Sequence, residues 1–561
     1  MCSYLPAVAD ASRMTEFTAA GTPAGTVVVR AADLRVQGMT VTMVNAVPSA
    51  GEPAVFCRPV AAAPAVVRRD GTVLADAWLP DPVRLGGLER HLGDGVVEAA
   101  VDAAVAQGRL KPPQRRRIMS YPLIIRLMIA MTLMPDASYC EALRRLAGLL
   151  ADIPFILQWH VPTEKVITDW RLPVPPRLME DLFWHAAGPL ISDDEPSAVL
   201  LAGMMVLAAD GMLVNLADTP ANRAFFGSTG TADDSAPFPQ LRIVAVTARA
   251  GRAALGAVLG QAGAGEQTLL RRLVKRRPGL FAGRVTCFDR NFPGYDLITA
   301  ILAAGGHVIA RVKEGISLPF DGPDRGWLPD GSRMTWLNAP SGKEEDRLPV
   351  RAAEHNVVLP CGDGTEEPSQ TCTVITTLLD HQAAPADAIR DTYLTRWSAS
   401  ETTFGEDKST IAGAGNRTSG PVLRSGSPRL VIQEAWAWLT ATQLVRASDA
   451  AALRTEAAAA RALRRRSQQE VTADEQSFTA ALRHAIRSMT STQVTASSSL
   501  HALAAAADAA ARAALHTLNV PGRQRHSPRA QKARPKFPHA PATKTTVTGK
   551  PRVTVFAPGF S

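Results

Sequence analysis

From residue 81 to residue 190 the apolar positions recur at helical spacing. Leu85 to Leu92 and Val96 to Ala106 carry spaced apolar residues, Leu123 to Met134 continues after Pro122, and Tyr139 to Leu150 follows the turn Pro135-Asp136-Ala137. Thr163-Glu164-Lys165 reads as the cap of a further helix that reaches Arg171. Arg115, Arg116 and Arg117 form a basic run between two of these helices. The pattern predicts a bundle of short helices with basic edges, which suits a reader of DNA ends and an interaction domain equally.

After residue 200 the period changes. Met204 to Ala209 is a continuous apolar run ending in Asp210, and Leu213 to Leu216 either extends that strand or starts a hairpin. Leu241 to Thr247 and Ala254 to Leu259 are apolar runs bounded by turn residues. A helix is expected over Gln267 to Val274, a strand over Arg284 to Phe288 that ends at Asp289, a helix over Tyr295 to Ala304, and a strand over His307 to Val312. Three sequential strands suggest a meander, and the alternation that follows suggests parallel crossovers, so the fold class is α/β.

Residues 315–370 are turn-rich and polar, with Trp327 and Trp336, and read as an insertion of irregular β structure. Thr371 to Leu378 returns as a strand, and Ala386 to Lys408 and Leu430 to Arg446 read as helices. Residues 450–515 are Ala-rich and partly helical. From 520 onward Pro and basic residues dominate and little regular structure is expected. Residues 1–80 show only weak periodicity and fit a small β-rich extension or a poorly ordered one.

Charge sharpens this picture. The chain of 561 residues carries a formal net charge of +9, yet no Asp or Glu follows Asp508, and ten Lys or Arg do. The remaining 51 basic residues nearly balance the 52 acidic ones, so the positive excess lies in the tail. Such a tail suits a polyanionic partner, either nucleic acid or a membrane surface. The six Cys are scattered without zinc spacing and are expected to be reduced and structural. The longest apolar stretch, Tyr121 to Met134, contains Arg126 and is too short to span a bilayer. With no signal-peptide pattern at the N-terminus, an intracellular, soluble protein is expected.

Asp210 and Asp289 are each expected at the C-terminal end of a strand, where ligand sites gather in α/β sheets. An Asp in such a place also simply starts a turn. Two carboxylates held about 4 Å apart repel by about 4 kcal/mol at an effective dielectric near 20, so they call for a shared cation or a raised pKa. Further on, Tyr393 and Arg396 share one helical face, and Glu401 and Lys408, seven apart, share another. A carboxylate flanked by Arg and Lys suits a phosphate cradle, and equally an ordinary ion-paired surface helix.

Taken together these residues resemble the DDE transposases of the insertion-sequence-four family, whose helix signature is Tyr-x2-Arg-x3-Glu-x6-Lys. Tyr393, Arg396, Glu401 and Lys408 match it in kind. Asp210-Gly211 with Asp218-Thr219-Pro220-Ala221-Asn222 and Phe225-Phe226-Gly227 looks like the first motif of the family. Phe288-Asp289-Arg290-Asn291-Phe292 looks like the second. The run Gly420 to Ser425, the helix through Trp436-Ala437-Trp438 and the basic tail around Ser527-Pro528-Arg529 are similar as well. The likeness covers about residues 85–540. One departure stands out: four residues separate Arg396 from Glu401 where the signature has three, and position 400 is Ser. Five helical steps rotate by about 500°, so Arg396 and Glu401 do not stack unless a bulge intervenes.

The resemblance implies an RNase H-like catalytic core, a mixed sheet flanked by helices, with a β-rich insertion, a helical N-terminal domain and a basic C-terminal tail. The implied organisation is an extension of unassigned role (1–80), a helical DNA-binding domain (81–190), a catalytic domain (200–450) with its insertion at about 315–370, and an Ala-rich segment with a basic tail (451–561). It implies that Asp210, Asp289 and Glu401 bind two Mg2+ ions, with Mn2+ able to replace them, and that Tyr393, Arg396 and Lys408 hold DNA phosphate. It implies cleavage and strand transfer at insertion-sequence ends. The partners would be double-stranded DNA, as terminal inverted repeats and target, and a second copy of the chain in the synaptic complex. No membrane is involved, and the location is cytoplasmic with the bacterial nucleoid. Trp327 or Trp336 would stack on a flipped base, or else belong to a small β core. A catalytically inactive DNA-binding derivative and an RNase H-like nuclease without strand transfer remain the alternatives.

Overall fold

The computed structural model describes residues 85–93, 95–112, 120–147, 162–190, 200–229, 238–249, 252–313, 318–320, 326–360, 366–396, 423–462 and 478–490, with short strands at 14–18, 28–36, 39–47, 66–67, 73–74 and 552–555. Strands β1 (Met14–Thr18), β2 (Val28–Val36) and β3 (Met39–Val47) form an antiparallel sheet, and β4 (Val66–Val67) pairs with β5 (Val73–Leu74). The β-rich alternative for the extension is therefore the one realised in these strands.

Among the described residues the α-helices that follow are α1 (Glu89–Leu92), α2 (Val96–Ala106), α3 (Tyr121–Leu133), α4 (Tyr139–Ala147), α5 (Glu164–Arg171) and α6 (Pro176–Ala187). Their starts are written locally. The Ser120 hydroxyl accepts from Leu123 N at 3.2 Å, and Thr163 accepts from Val166 N. Helix α3 is buried along nearly its whole length, including Arg126. That guanidinium is tolerated inside because Glu89 and Glu98 pair with it at 2.7 and 2.8 Å.

The central sheet begins with β6 (Leu200–Leu201) and β7 (Met204–Asn215). After α7 (Pro220–Phe226) come β8 (Gln240–Ala248), β9 (Ala254–Gln261), α8 (Glu266–Arg276), β10 (Arg284–Phe288), α9 (Tyr295–Ala303) and β11 (His307–Arg311). Strands β7, β8 and β9 form the expected antiparallel meander, and β10 and β11 are added in parallel on the other side of β7. The order β9-β8-β7-β10-β11 places the first long strand at the centre, which is the RNase H-like arrangement.

The turn-rich segment is more regular than its composition suggests. β12 (Arg333–Leu337), β13 (Leu348–Pro360) and β14 (Glu366–Thr376) extend the same sheet, with β14 antiparallel to β11. Without β14 the edge of β11 would present unpaired backbone groups. The chain then forms α10 (Ala386–Arg396), the long helix α11 (Pro428–Ala462), which crosses the boundary expected at 450, and α12 (Phe478–Thr490). Little regular structure is expected in the tail, and one short strand is described there. This strand, β15 (Arg552–Val555), pairs with His355–Val358 of β13, beyond the stretch that β12 occupies. Its Val-Thr-Val run suits a strand, and β13 offers the open edge.

Three apolar clusters hold these layers. Helices α8 and α9 cover one face of the sheet through Leu269, Leu270, Leu297 and Ile298 against Leu207, Val246 and Phe288. Helix α10 covers part of the other face. The N-terminal helices, α11, α12 and the outer half of the meander share the third cluster, so the helical region packs directly on that part of the sheet. Among the described residues no helix is long and apolar enough to cross a membrane, and Cys140, Cys287 and Cys372 are thiols rather than halves of a disulfide.

Candidate active site

The position of Asp210 corrects the strand-end expectation. β7 does not stop there: it runs on to Asn215 because β8 pairs with it along its length, with Asp210 opposite Ala245. What ends at this level is β10. Its last paired residue, Phe288, lies beside Ala209, so Asp289 follows in register beside Asp210. Neighbouring strands lie about 4.8 Å apart, so two aspartates 79 residues apart in sequence are brought side by side. Both are half-buried. Gly211 N donates to Asp210 Oδ1 at 2.8 Å, and Arg290 N donates to Asp289 Oδ1 at 2.7 Å.

Alternation along β7 shows what faces Asp210. Leu207 and Ala209 enter the cluster under α8 and α9. On the opposite face Val206 joins the cluster under α10, and Met212 and Val214 join the helical core. Asp210 shares that second face and interrupts the apolar positions where one cluster gives way to the other.

The loops beside the aspartates are braced by the first turn of α8. Glu266 lies against the Cα of Gly211, where a Cβ would meet its Cγ at 2.8 Å, and Arg242 Nη1 holds its carboxylate at 2.6 Å. Gln267 Nε2 donates to Asn291 O at 3.0 Å, and its side chain occupies the space a Cβ on Gly294 would need. Phe292 is buried and stacks on Phe288 at 5.8 Å and 11°, which turns the chain back after Asp289.

The expected helix residues divide. Tyr393 is only 6% exposed and packs with Ile389 against Val206, Val285, Cys287 and Ile309, so its ring works at the interface between α10 and the sheet. Arg396 is the last residue of α10. Glu401 and Lys408, and the side chain of Arg396, lie outside the described residues. Among the described residues no group of three His, Cys, Asp or Glu is placed to hold a metal ion. Trp327 and Trp336 each carry a guanidinium over the ring, Arg333 at 5.3 Å and Arg347 at 5.0 Å.

The motif residues downstream of Asp210 act as a clasp. Leu423 forms a parallel bridge with Leu216, and Ala217 N donates to Leu423 O at 3.1 Å. Asn222, fully buried, donates to Ala217 O and Ser425 O, both at 3.0 Å, and Thr219 donates to Gly426 O. Arg171 of the helical region donates to Ser425 Oγ, and Glu434 accepts from Arg424 N and Ser425 N. The chain therefore leaves α10, which packs on the cluster that includes Val206, and is recaptured at Leu423 beside Leu216, the residue after β7. Composition did not reveal the bracing roles of Glu266, Gln267 and Arg242.

No protein-family model matches the chain. A curated relative, the transposase InsG for insertion sequence element IS4 of Escherichia coli (strain K12), is 25% identical over 244 residues, which are 44% of this chain and 52% of the relative. The chain thus spans about half the length of the relative it matches. Among solved structures, the cryo-EM structure of the piggyBac transposase synaptic complex with hairpin DNA aligns at a TM-score of 0.36 and 11% identity, covering 72% of this chain and 79% of that one. Over the matched residues the chain is similar to an insertion-sequence transposase.

Proposed function

We propose that the protein is a DDE transposase that cuts DNA at the ends of an insertion sequence and joins the freed strand to a target. The observation that carries this reading is the register of β7 and β10, which puts Asp210 and Asp289 side by side, with the chain that follows Glu401 recaptured at Leu216, the residue after the strand that bears Asp210. Hard carboxylate oxygens on adjacent strands fit Mg2+, and Mn2+ in its place. Asp210, Asp289 and Glu401 would hold two such ions. When bound, they activate a water or a 3′-hydroxyl and stabilise the leaving oxygen.

The other roles belong to the chain itself. Lys408 and Arg396 hold phosphate oxygens at the cut, and Tyr393 anchors the helix that delivers them. The helical region reads the element's terminal inverted repeats. The tail adds affinity that is independent of sequence and sensitive to salt. Bringing two DNA ends together requires a second copy of the chain, and the work is done in the cytoplasm at the nucleoid.

The test is cleavage of DNA carrying the terminal repeats that flank the gene, with Mg2+. Wild type is expected to cut at the repeat boundary, and Asp210→Asn, Asp289→Asn and Glu401→Gln are each expected to lose at least about 100-fold in rate, the scale of a lost charge-stabilising group. Precut ends supplied with supercoiled target separate strand transfer from hydrolysis alone. Binding of the repeats without cutting would instead identify a DNA-binding derivative, disabled by the extra residue between Arg396 and Glu401.

A further inference from the structure

A buried ion pair sits where the β12–β14 region meets the start of α10. Arg351 has no exposed side-chain surface, and Asp330 has little. They pair at 2.8 Å between Nη1 and Oδ2. Asp330 Oδ2 also accepts from Ala386 N at 2.9 Å, and Ala386 is the first residue of α10, whose N–H has no partner within the helix. Asp330 Oδ1 accepts from Ser332 N at 3.1 Å and from Ser332 Oγ at 2.5 Å. Arg351 Nε donates to Leu378 O at 3.1 Å, and Nη2 donates to Ala384 O. Two side chains thus hold the three backbone groups that carry the chain from the end of β14 into α10.

We infer that Asp330 and Arg351 are positioning residues: they fix the first turn of α10, and through it the point from which the chain delivers Arg396, Glu401 and Lys408 to the aspartates. This rests on the transposase reading for its chemistry. The geometry stands without it.

Three features point to placement rather than bulk stability. An apolar pair of similar volume generally stabilises an interior as well as a buried ion pair does, so a buried pair is best suited to enforcing one arrangement. The hydrogen bonds go to connection backbone and a helix start, not to the sheet ladder. A carboxylate at a helix N-terminus also meets the positive end of the helix dipole. Arg351 further stands opposite Thr376 on β14, one strand from Ile309, against which α10 packs, so the clamp ties the helix to the sheet that presents Asp289.

The test uses the full chain and two readouts. In Asp330→Asn, amide hydrogen exchange in peptides covering 386–396 is expected to rise about tenfold or more, the scale of a lost hydrogen bond to a charged group, with exchange at 284–288 unchanged. Turnover for repeat-end cleavage should fall by a similar factor while DNA affinity stays at the wild-type value. Ser332→Ala spares the ion pair and removes one bridging hydroxyl. It should show the same pattern with a smaller change, about two- to tenfold, and serves if Asp330→Asn does not fold. The proposal is overturned by unchanged exchange at 386–396, by an equal rise at 284–288, or by a loosened α10 with full turnover. If wild type and Glu401→Gln cut DNA equally, or neither cuts, the transposase reading fails and the exchange comparison alone decides the clamp.

Discussion

Gly211 shows how tightly the aspartates are seated. It follows Asp210 directly, and the Glu266 side chain rests on its Cα while Arg242 pins the Glu266 carboxylate. A methyl at 211 must displace that pair. Gly211→Ala is expected to lower stability by about 1–3 kcal/mol, the range for overpacking. Glu266→Ala in the same chain should recover most of the loss. Denaturant unfolding of the two single variants and the double reads the coupling, and simple additivity would show that Glu266 is not the obstacle. His355 makes a second prediction at this scale. It is buried on β13 with neither ring nitrogen partnered among the described residues, and burial, helped by Arg390 and opposed by Asp387 and Asp391, pushes its pKa down to about 4 from 6.5. Between those values the unfolded chain binds the proton and the folded chain does not, so stability falls as pH drops from 6.5 toward 4. The full loss is about 3 kcal/mol by the linkage relation. His355→Leu should flatten that part of the stability–pH curve, and an unaltered curve would mean the acid sensitivity arises elsewhere.

At the scale of elements, α3 tests how the helical core tolerates charge. Arg126 is enclosed between Glu89 and Glu98, and Glu89 Oε2 also accepts from Leu85 N at 3.0 Å. Arg126→Met should cost about 3–5 kcal/mol by leaving Glu89 buried without its cation, and Arg126→Met with Glu89→Leu should recover much of it. Thermal unfolding of the pair decides this, and a mild single variant would show that water reaches Glu89. The same scale shows what periodicity can convey. The apolar runs of β8 and β10 and the cap Thr163 placed their elements to within a residue or two, because burial of a short apolar run and capping are local demands. The length of β7 was ambiguous because its continuation past Asp210 depends on pairing with β8, a partner some 30 residues away. The regularity of β12 and β13 in the turn-rich segment was hidden for the same reason: they join the core sheet only through the expected strand β14, which pairs with β11.

On the scale of the whole molecule, the positive charge is concentrated after Asp508, and the last strand is stitched onto β13. Removing residues 512–561 is expected to weaken DNA binding at all sequences alike. It should also flatten the slope of log affinity against log salt by about 0.9 for each phosphate that the tail neutralises. Filter binding over a salt series, with the repeat ends and with unrelated DNA, measures this, and an unchanged slope would mean that the tail does not touch DNA. The sequence by itself determined the α/β class, the order of the core elements, the asymmetry of charge and the identity of the candidate carboxylates. These depend on periodicity, composition and motif, which are properties of neighbouring residues. Tertiary structure alone decided that Asp210 lies within a strand, that Asp289 stands beside it, that Tyr393 is packed inward, and that Asp330 and Arg351 hold the start of α10. Each of these depends on strand register or on contacts between distant segments, and no local pattern encodes which strand will pair with which.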